Sequence, residues 1–255
     1  MLLVVDIGNT NTTLGVFDKD KLINTFSFSS DIKKTEDEYG ILLLSVLNHN
    51  KLVSEIKGAI VSSVVPQLCE IFKNSIKKYL DIEAISLSYK SKMPIKLALK
   101  NNKEIGADRI ANASAVCDKY KLPAIVIDFG TATTFDIVDE NKNFIGGIIA
   151  PGLKIQAKSL SQFTSKLPKL KIEAPKTAIG ADTISAMLSG IVLGHGAMIE
   201  GMIKKCNEEL SSPATVVVTG GYSEILFEKM EKVFNYIDKD LTLFGLKKLY
   251  ELNKE

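Results

Sequence analysis

Pro123-Ala-Ile-Val-Ile-Asp128-Phe-Gly130-Thr131-Ala-Thr133-Thr134-Phe-Asp-Ile-Val138 reads as two strands around a tight turn. The apolar run Ala124 to Ile127 has the composition of a buried strand, and Phe135 to Val138 is a second β-rich run. Between them lie Asp128, Gly130 and three threonines. Gly130 lets backbone come close to a ligand. Backbone N–H groups and hydroxyls in such a turn suit phosphate oxygens, and a carboxylate at the strand tip suits the accompanying cation.

The unit occurs once before. Val4-Val5-Asp6-Ile7-Gly8-Asn9-Thr10-Asn11-Thr12-Thr13-Leu14-Gly15-Val16-Phe17 opens the chain. Asp6 aligns with Asp128, Gly8 with Gly130 and Thr12 with Thr134, all at one constant offset. One hairpin alone would be ordinary. Two in register imply a duplicated α/β domain with a ligand between the copies.

Composition bounds the rest. The 255 residues are 45% hydrophobic and 24% charged, with a net charge of +2. That is a globular composition with enough apolar mass for a core. No basic stripe argues for nucleic acid or a membrane surface. The apolar start Met1 to Val5 is too short for a signal peptide, and no run reads as a membrane span. Cys69, Cys117 and Cys206 are odd in number and scattered, so a reducing cytoplasm without disulfides or zinc is expected. Arg109 is the single arginine among many lysines. Where lysine serves as the general cation, a lone arginine suggests a need for its planar, two-point fork.

In order, strands are expected at 2–7, 12–17 and 22–28, a helix over 36–47, a strand from Gly58, a helix from Pro66 to about Tyr79 and a strand at 83–87. Residues 88–103 read as irregular. Glu104-Ile105-Gly106-Ala107-Asp108-Arg109 leads into a helix to about Tyr120, with Asp108 and Arg109 in its first turn. There Asp could cap the helix or take a proton from a hydroxyl, and Arg could hold a carboxylate. After the second hairpin come a strand at 144–149, a helix from Gly152 to about Phe163 and a long loop over 164–177. A helix from Ile184 to about Leu210 follows, whose glycines suggest close packing of another backbone, inside the domain or at a dimer seam. The strand at 214–218 ends in Gly220-Gly221, followed by a helix from Tyr222 to Lys232, a strand at Asn235-Tyr-Ile and a terminal helix over 241–252. The expected split is a first domain over 1–115 and a second over 116–255. His49 is expected on the surface, and His195 in helix packing without a catalytic role.

Asp6-Ile-Gly8-Asn9-Thr10 with Asp128-Phe-Gly130-Thr131-Ala-Thr133 resembles the two phosphate motifs of the acetate and sugar kinase, heat-shock protein and actin superfamily. Gly106-Ala-Asp108-Arg109, Gly146-Gly147-Ile-Ile-Ala-Pro151-Gly152 and Gly180-Ala-Asp-Thr183-Ile-Ser-Ala-Met-Leu-Ser-Gly190 narrow the resemblance to type III pantothenate kinases. It runs from Met1 to about Gly221. It implies two ribonuclease-H-like, actin-like ATPase domains, each a mixed sheet in β-β-β-α-β-α order, with the ligand cleft between them. It implies ATP-dependent phosphorylation of pantothenate to 4′-phosphopantothenate, the opening step of coenzyme A synthesis, in a cytoplasmic homodimer. Asp108 would be the general base. Gly106, Ala107, Asp108, Arg109 and Thr183 would contact pantothenate, Arg109 through its carboxylate. Asp6, Ile7, Gly8, Asn9, Thr10, Asn11, Thr12, Thr13 and Thr131 would cradle ATP, with magnesium near Asp6. Asp128 would hold a monovalent cation, potassium or ammonium.

The chain departs from the family in two places. The usual tyrosine and Asn-Pro before the Gly-x-Asp-Arg motif are replaced by Leu99-Lys-Asn-Asn-Lys103, and Ala181 stands where a basic residue is usual. No Walker-type glycine loop is present. Other readings are another small-molecule kinase on this fold, a catalytically silent regulator of the Bvg accessory factor type, and a structural ATPase.

Overall fold

The computed structural model describes the whole chain except Lys229, Glu231 and Glu255. Two compact units are formed: Met1–Asp118 together with the chain from Asp240 onward, and Lys119–Lys239.

In the first unit, β1 (Leu2–Ile7), β2 (Asn11–Asp18) and β3 (Lys21–Ser29) form an antiparallel meander. Helix α1 (Glu36–His49) follows, then β4 (Gly58–Ser63), α2 (Pro66–Leu80) and β5 (Ile85–Ser86). The strand order is β3-β2-β1-β4-β5, with β4 parallel to both β1 and β5. Sequence accounts for the starts of both helices. Thr35 and Glu38 close a capping box at the start of α1, and Pro66 opens α2 where a missing N–H costs nothing. Leu3, Val5 and Ile7 of β1 pack on Tyr39, Leu43 and Leu47 of α1 and Phe72 and Ile76 of α2. The opposite face of the sheet, through Val4, Phe17 and Ile60, meets another cluster of helical residues. Residues 88–103 hold only a two-residue strand, β6 (Lys96–Leu97), and part of a single 3-10 turn. Helix α3 (Ala107–Lys119) then closes the first half.

In the second unit, β7 (Ala124–Phe129), β8 (Ala132–Val138) and β9 (Asn143–Pro151) repeat the meander. They are followed by α4 (Leu153–Phe163), α5 (Thr183–Leu188), a π-helical segment Ser189–Leu193, and α6 (Gly194–Glu209). β10 (Thr215–Thr219), α7 (Ser223–Phe227) and β11 (Tyr236–Ile237) complete the unit. Five strands of the six-stranded second sheet, in the order β9-β8-β7-β10-β11, mirror β3-β2-β1-β4-β5. The duplication seen in the two hairpins therefore extends to the whole topology, and both halves are ribonuclease-H-like.

The structure departs from the expectations in several places. The final helix α8 (Leu241–Asn253) packs on β1, β2 and β4, so the chain end folds with the first unit rather than with residues 116–239. Its Leu243, Leu246 and Leu249 join the cluster containing Ala107, Ile110 and Ala111 of α3, and Thr242 Oγ1 donates to Asn112 Oδ1 at 2.7 Å. The helix expected over 222–232 is regular only at Ser223–Phe227; Lys229 and Glu231 lie outside the described residues. The long glycine-bearing helix is broken by the π segment, and a side chain added at Gly190, Gly194 or Gly201 would meet open space. Those glycines are therefore not explained by close packing within this chain. Thr183–Glu209 is also long and apolar enough by composition to span a membrane, contrary to the expectation. Its Met187, Leu188, Ile191, Val192, Ile199 and Ile203 are buried, and a core helix needs the same composition.

Candidate functional site

Both hairpins place an aspartate at the last turn of a central strand. Asp6 pairs across to Thr13 and lies beside Ser62 of the parallel β4. Asp128 pairs across to Thr134 and lies beside Thr219 of the parallel β10. The register corrects the sequence alignment by one residue. Thr12 opposes Ile7 and Thr133 opposes Phe129, so Thr12 corresponds to Thr133 and Thr13 to Thr134. The first turn is one residue longer, and counting from the glycines conceals this.

The first turn, Gly8 to Asn11, is closed by the Gly8 N–H donating to the Asn11 carbonyl at 3.0 Å. Asn9, Thr10 and Asn11 are exposed, so their groups are open to a ligand; Ile7 and Thr12 are buried and act as supports. Ser30, at the end of β3, holds the turn from behind. Its Oγ donates to the Gly8 carbonyl at 2.7 Å, its N–H donates to the Thr10 carbonyl at 2.9 Å, and the Thr12 hydroxyl lies 3.0 Å from Oγ. Since the Ser30 proton goes to Gly8, Thr12 is the donor in the last of these. Sequence reading missed Ser30, which sits in a polar loop start with no motif of its own.

Gly106 to Arg109 lies at the same edge of the first sheet. Val64, just past β4, donates its N–H to the Ile7 carbonyl at 3.1 Å, and its side chain lines the space beside Gly106. Gly106 stands against Asp108: a Cβ there would overlap Asp108 Oδ1. Asp108 itself is in the first turn of α3, half-buried, and accepts the Arg109 backbone N–H at 2.8 Å. Burial pushes its carboxyl above the ordinary value of 3.8, partly offset by that hydrogen bond and by the Arg109 charge. A carboxylate destabilised as an anion is a better proton acceptor than one in water. Arg109 follows it and is also half-buried.

The second turn is built differently. Thr131 is exposed at its tip. The Gly220 backbone, at φ +89°, presses on the base of the turn; a Cβ there would lie 2.5 Å from Asp128 Oδ1 and 2.6 Å from the Phe129 nitrogen. Behind the turn, buried Thr133 meets buried His195 of α6 with 3.0 Å between Oγ1 and Nε2. Gln156 of α4 donates one amide hydrogen to His195 Nδ1 at 2.8 Å and the other to the Pro151 carbonyl at 2.9 Å. His195 thus has a structural role in helix packing, as expected, but its polar contacts were not foreseen. Burial lowers its pKa below the ordinary 6.5. Thr183 is the exposed first residue of α5, next to a capping box between Asp182 and Ser185, and its hydroxyl makes no hydrogen bond among the described residues. His49 is exposed at the end of α1.

The residues fit the cations that phosphoryl transfer uses. Asp6 and Asp128 are half-buried carboxylates at strand tips beside hydroxyl-bearing neighbours, and the space next to Asp128 is kept open by a glycine. Hard oxygen donors of this kind suit magnesium and potassium rather than soft metals. The three cysteines are free, and among the described residues no cluster of histidine, cysteine and carboxylate groups forms a metal site.

Comparison with known proteins agrees with this chemistry. In structure, the chain is similar to a Baf family transcriptional activator from Campylobacter jejuni, 23% identical with a TM-score of 0.62, over 98% of this chain and 97% of that one. It is also similar to the activator of 2-hydroxyisocaproyl-CoA dehydratase from Clostridium difficile with bound ADPNP, 14% identical with a TM-score of 0.54, over 99% and 94%. At these identities the likeness shows the fold alone, that of actin-like ATPases and sugar kinases. In sequence, type III pantothenate kinases from Finegoldia magna and Bacillus cytotoxicus are 44% and 41% identical, covering 100% and 99% of this chain and 98% and 97% of theirs. The family model for type III pantothenate kinase matches residues 2–205. On that match and those relatives, the chain belongs to the type III pantothenate kinase family.

Proposed function

We propose that this chain phosphorylates pantothenate with ATP, working in the cytoplasm, with Asp108 as the base that starts the transfer. Membership of the family makes the chain a phosphotransferase using ATP and a divalent metal. The residue roles rest on one observation: Val64 meets both Ile7, which leads into the Gly8–Asn11 turn, and Gly106, against which Asp108 stands, at one edge of the first sheet. A phosphate cradle and a raised-pKa carboxylate so placed suit the deprotonation of an alcohol beside a nucleotide.

In this reading Asp108 takes the proton of the pantothenate hydroxyl as its oxygen forms a bond to the γ-phosphorus. The bond from that phosphorus to the bridging oxygen breaks, and ADP leaves with the electron pair. Arg109 holds the pantothenate carboxylate in its two-point fork, with Gly106, Ala107 and Thr183 as further contacts. The glycine turns Asp6–Thr13 and Asp128–Thr134, Thr131 included, hold the phosphates. Asp6 would hold magnesium and Asp128 a monovalent cation, potassium or ammonium; bound there, they offset phosphate charge. The homodimer reading is supported by exposed Ile149, Ile179 and Ile184 and by the open faces of Gly190, Gly194 and Gly201 in the second unit.

The test is ADP release on addition of pantothenate, with and without potassium, alongside mass detection of 4′-phosphopantothenate. Release that depends on pantothenate and is raised by potassium is expected. ADP release indifferent to pantothenate would overturn the assignment.

A further inference from the structure

We propose that His195 is a positioning residue for the second phosphate turn, the counterpart in the second half of Ser30 in the first. The inference rests on the ATP-binding role given to that turn above.

The duplicated register makes the comparison exact in position. Thr12 and Thr133 are equivalent, both are buried, and each ties its hairpin to a polar group behind it. In the first half that group is Ser30, which bonds Thr12 and the Gly8 and Thr10 backbone directly from the end of the third strand. In the second half the register puts Gly152 where Ser30 stands, and a glycine has no hydroxyl to offer Thr133. The connection there runs instead through side chains: Thr133 to His195, His195 to Gln156, Gln156 to the Pro151 carbonyl. Gly152, next to Pro151, lies under the turn, with a Cβ there reaching 2.7 Å from the Gly130 carbonyl. The chain of bonds therefore ties Thr133, which follows the turn, to the end of β9 beside Gly152.

The hydrogen bonding fixes the tautomer. Both Gln156 amide hydrogens are donated, one of them to Nδ1, so the ring proton sits on Nε2 and is donated to Thr133 Oγ1. The Thr133 hydroxyl is left with its own proton to direct elsewhere. The Phe129 ring, edge-on to the imidazole with centroids 6.4 Å apart, holds the ring plane. Thr133, Gln156 and Phe129 do not titrate. The imidazole touches no atom assigned to substrate, so its effect on turnover passes through the turn.

The experiment compares His195→Phe, His195→Gln and Gln156→Met in the full chain by steady-state kinetics and thermal unfolding. His195→Phe keeps the ring volume and removes both bonds. It is expected to raise the KM for ATP by about tenfold or more, as for loss of a buried hydrogen bond. The KM for pantothenate should stay within about twofold. His195→Gln, whose amide can still donate to Thr133, should recover most of the loss. A folded His195→Phe chain with an unchanged KM for ATP, or with both constants raised alike and no rescue by Gln, would overturn the proposal. Should His195→Phe fail to fold, Gln156→Met decides by the same two constants. If the unaltered chain gives no pantothenate-dependent turnover, the assigned reaction fails by itself. ATP dissociation constants for the same variants then judge the positioning role.

Discussion

Gly220 is seated against Asp128 so closely that a Cβ on it would lie 2.5 Å from the carboxylate Oδ1. Its φ of +89° is also one that residues with side chains rarely adopt. The end of β10 and the end of β7 therefore meet through a bare backbone, and the carboxylate keeps its place because nothing projects into it. Gly106 does the same for Asp108 in the first unit. Two different glycines, neither in the hairpin turns themselves, clear space for two of the acids given chemical roles, Asp108 and Asp128.

Gly220→Ala should then do two things. The strained backbone and the overlap should cost about 1–3 kcal/mol, lowering Tm by roughly 2–4 °C per kcal/mol in a chain of this size. Displacement of the Asp128 carboxylate should weaken activation by potassium more than it weakens the reaction at saturating potassium. A potassium titration of turnover in the variant, with Tm measured in parallel, checks both. Unchanged potassium dependence would separate Asp128 from the cation.

Asp108 carries a stability cost with a defined pH dependence. Its folded pKa is raised above the ordinary 3.8 by burial. Its contribution to stability is complete below that ordinary value and is lost as pH rises through the folded value. Once pH exceeds the folded value the buried carboxylate is ionised and unfavourable, so Asp108→Asn should show little difference near pH 3 and gain Tm over the parent as pH rises toward 7. Thermal unfolding of both chains across this range is the measurement. A variant less stable than the parent at pH 7 would contradict the burial argument.

Arg109→Lys retains charge and loses the planar fork. The KM for pantothenate should rise by about tenfold or more, with the KM for ATP within about threefold. Equal changes in both would argue against a carboxylate clamp. Pantothenol, which lacks the carboxylate, should be used about equally poorly by parent and variant.

His195 has the opposite sign to Asp108. Burial lowers its pKa below 6.5, so the unfolded chain binds the proton more readily. Its contribution is present above the ordinary imidazole value and is lost as pH falls through that value toward the folded one. Protonation would also place a second donor at Nδ1, facing the Gln156 amide. Tm should therefore fall between about pH 7 and pH 5 more steeply in the parent than in His195→Gln. Parallel curves would show that the imidazole does not titrate across the transition.

Much of the fold was legible because its signals are local. β-branched runs such as Val4-Val5 and Ile125-Val-Ile127 mark strands, and Pro66 marks the start of a helix. The repeat of Asp-x-Gly in two hairpins announced the duplication, and the shared strand order followed. What was missed is non-local or too short to have a period. The π segment Ser189–Leu193 shifts the helix by a fraction of a turn over five residues, which apolar spacing does not register. The return of α8 to the first sheet is a tertiary choice, made by Leu243, Leu246 and Leu249 against α3 and invisible in α8 alone. The one-residue difference between the turns was hidden by the matched glycines. Ser30 and His195 had no motif; only the register that pairs Thr12 with Thr133 gives them a common meaning.

The most direct measurement is pantothenate-dependent ADP release by the parent chain and by Asp108→Asn, with ATP binding determined on both. The account predicts turnover lowered by about 10²–10⁴-fold, the contribution of a positioned general base, with the ATP dissociation constant unchanged within about threefold. Turnover by Asp108→Asn equal to that of the parent would contradict it.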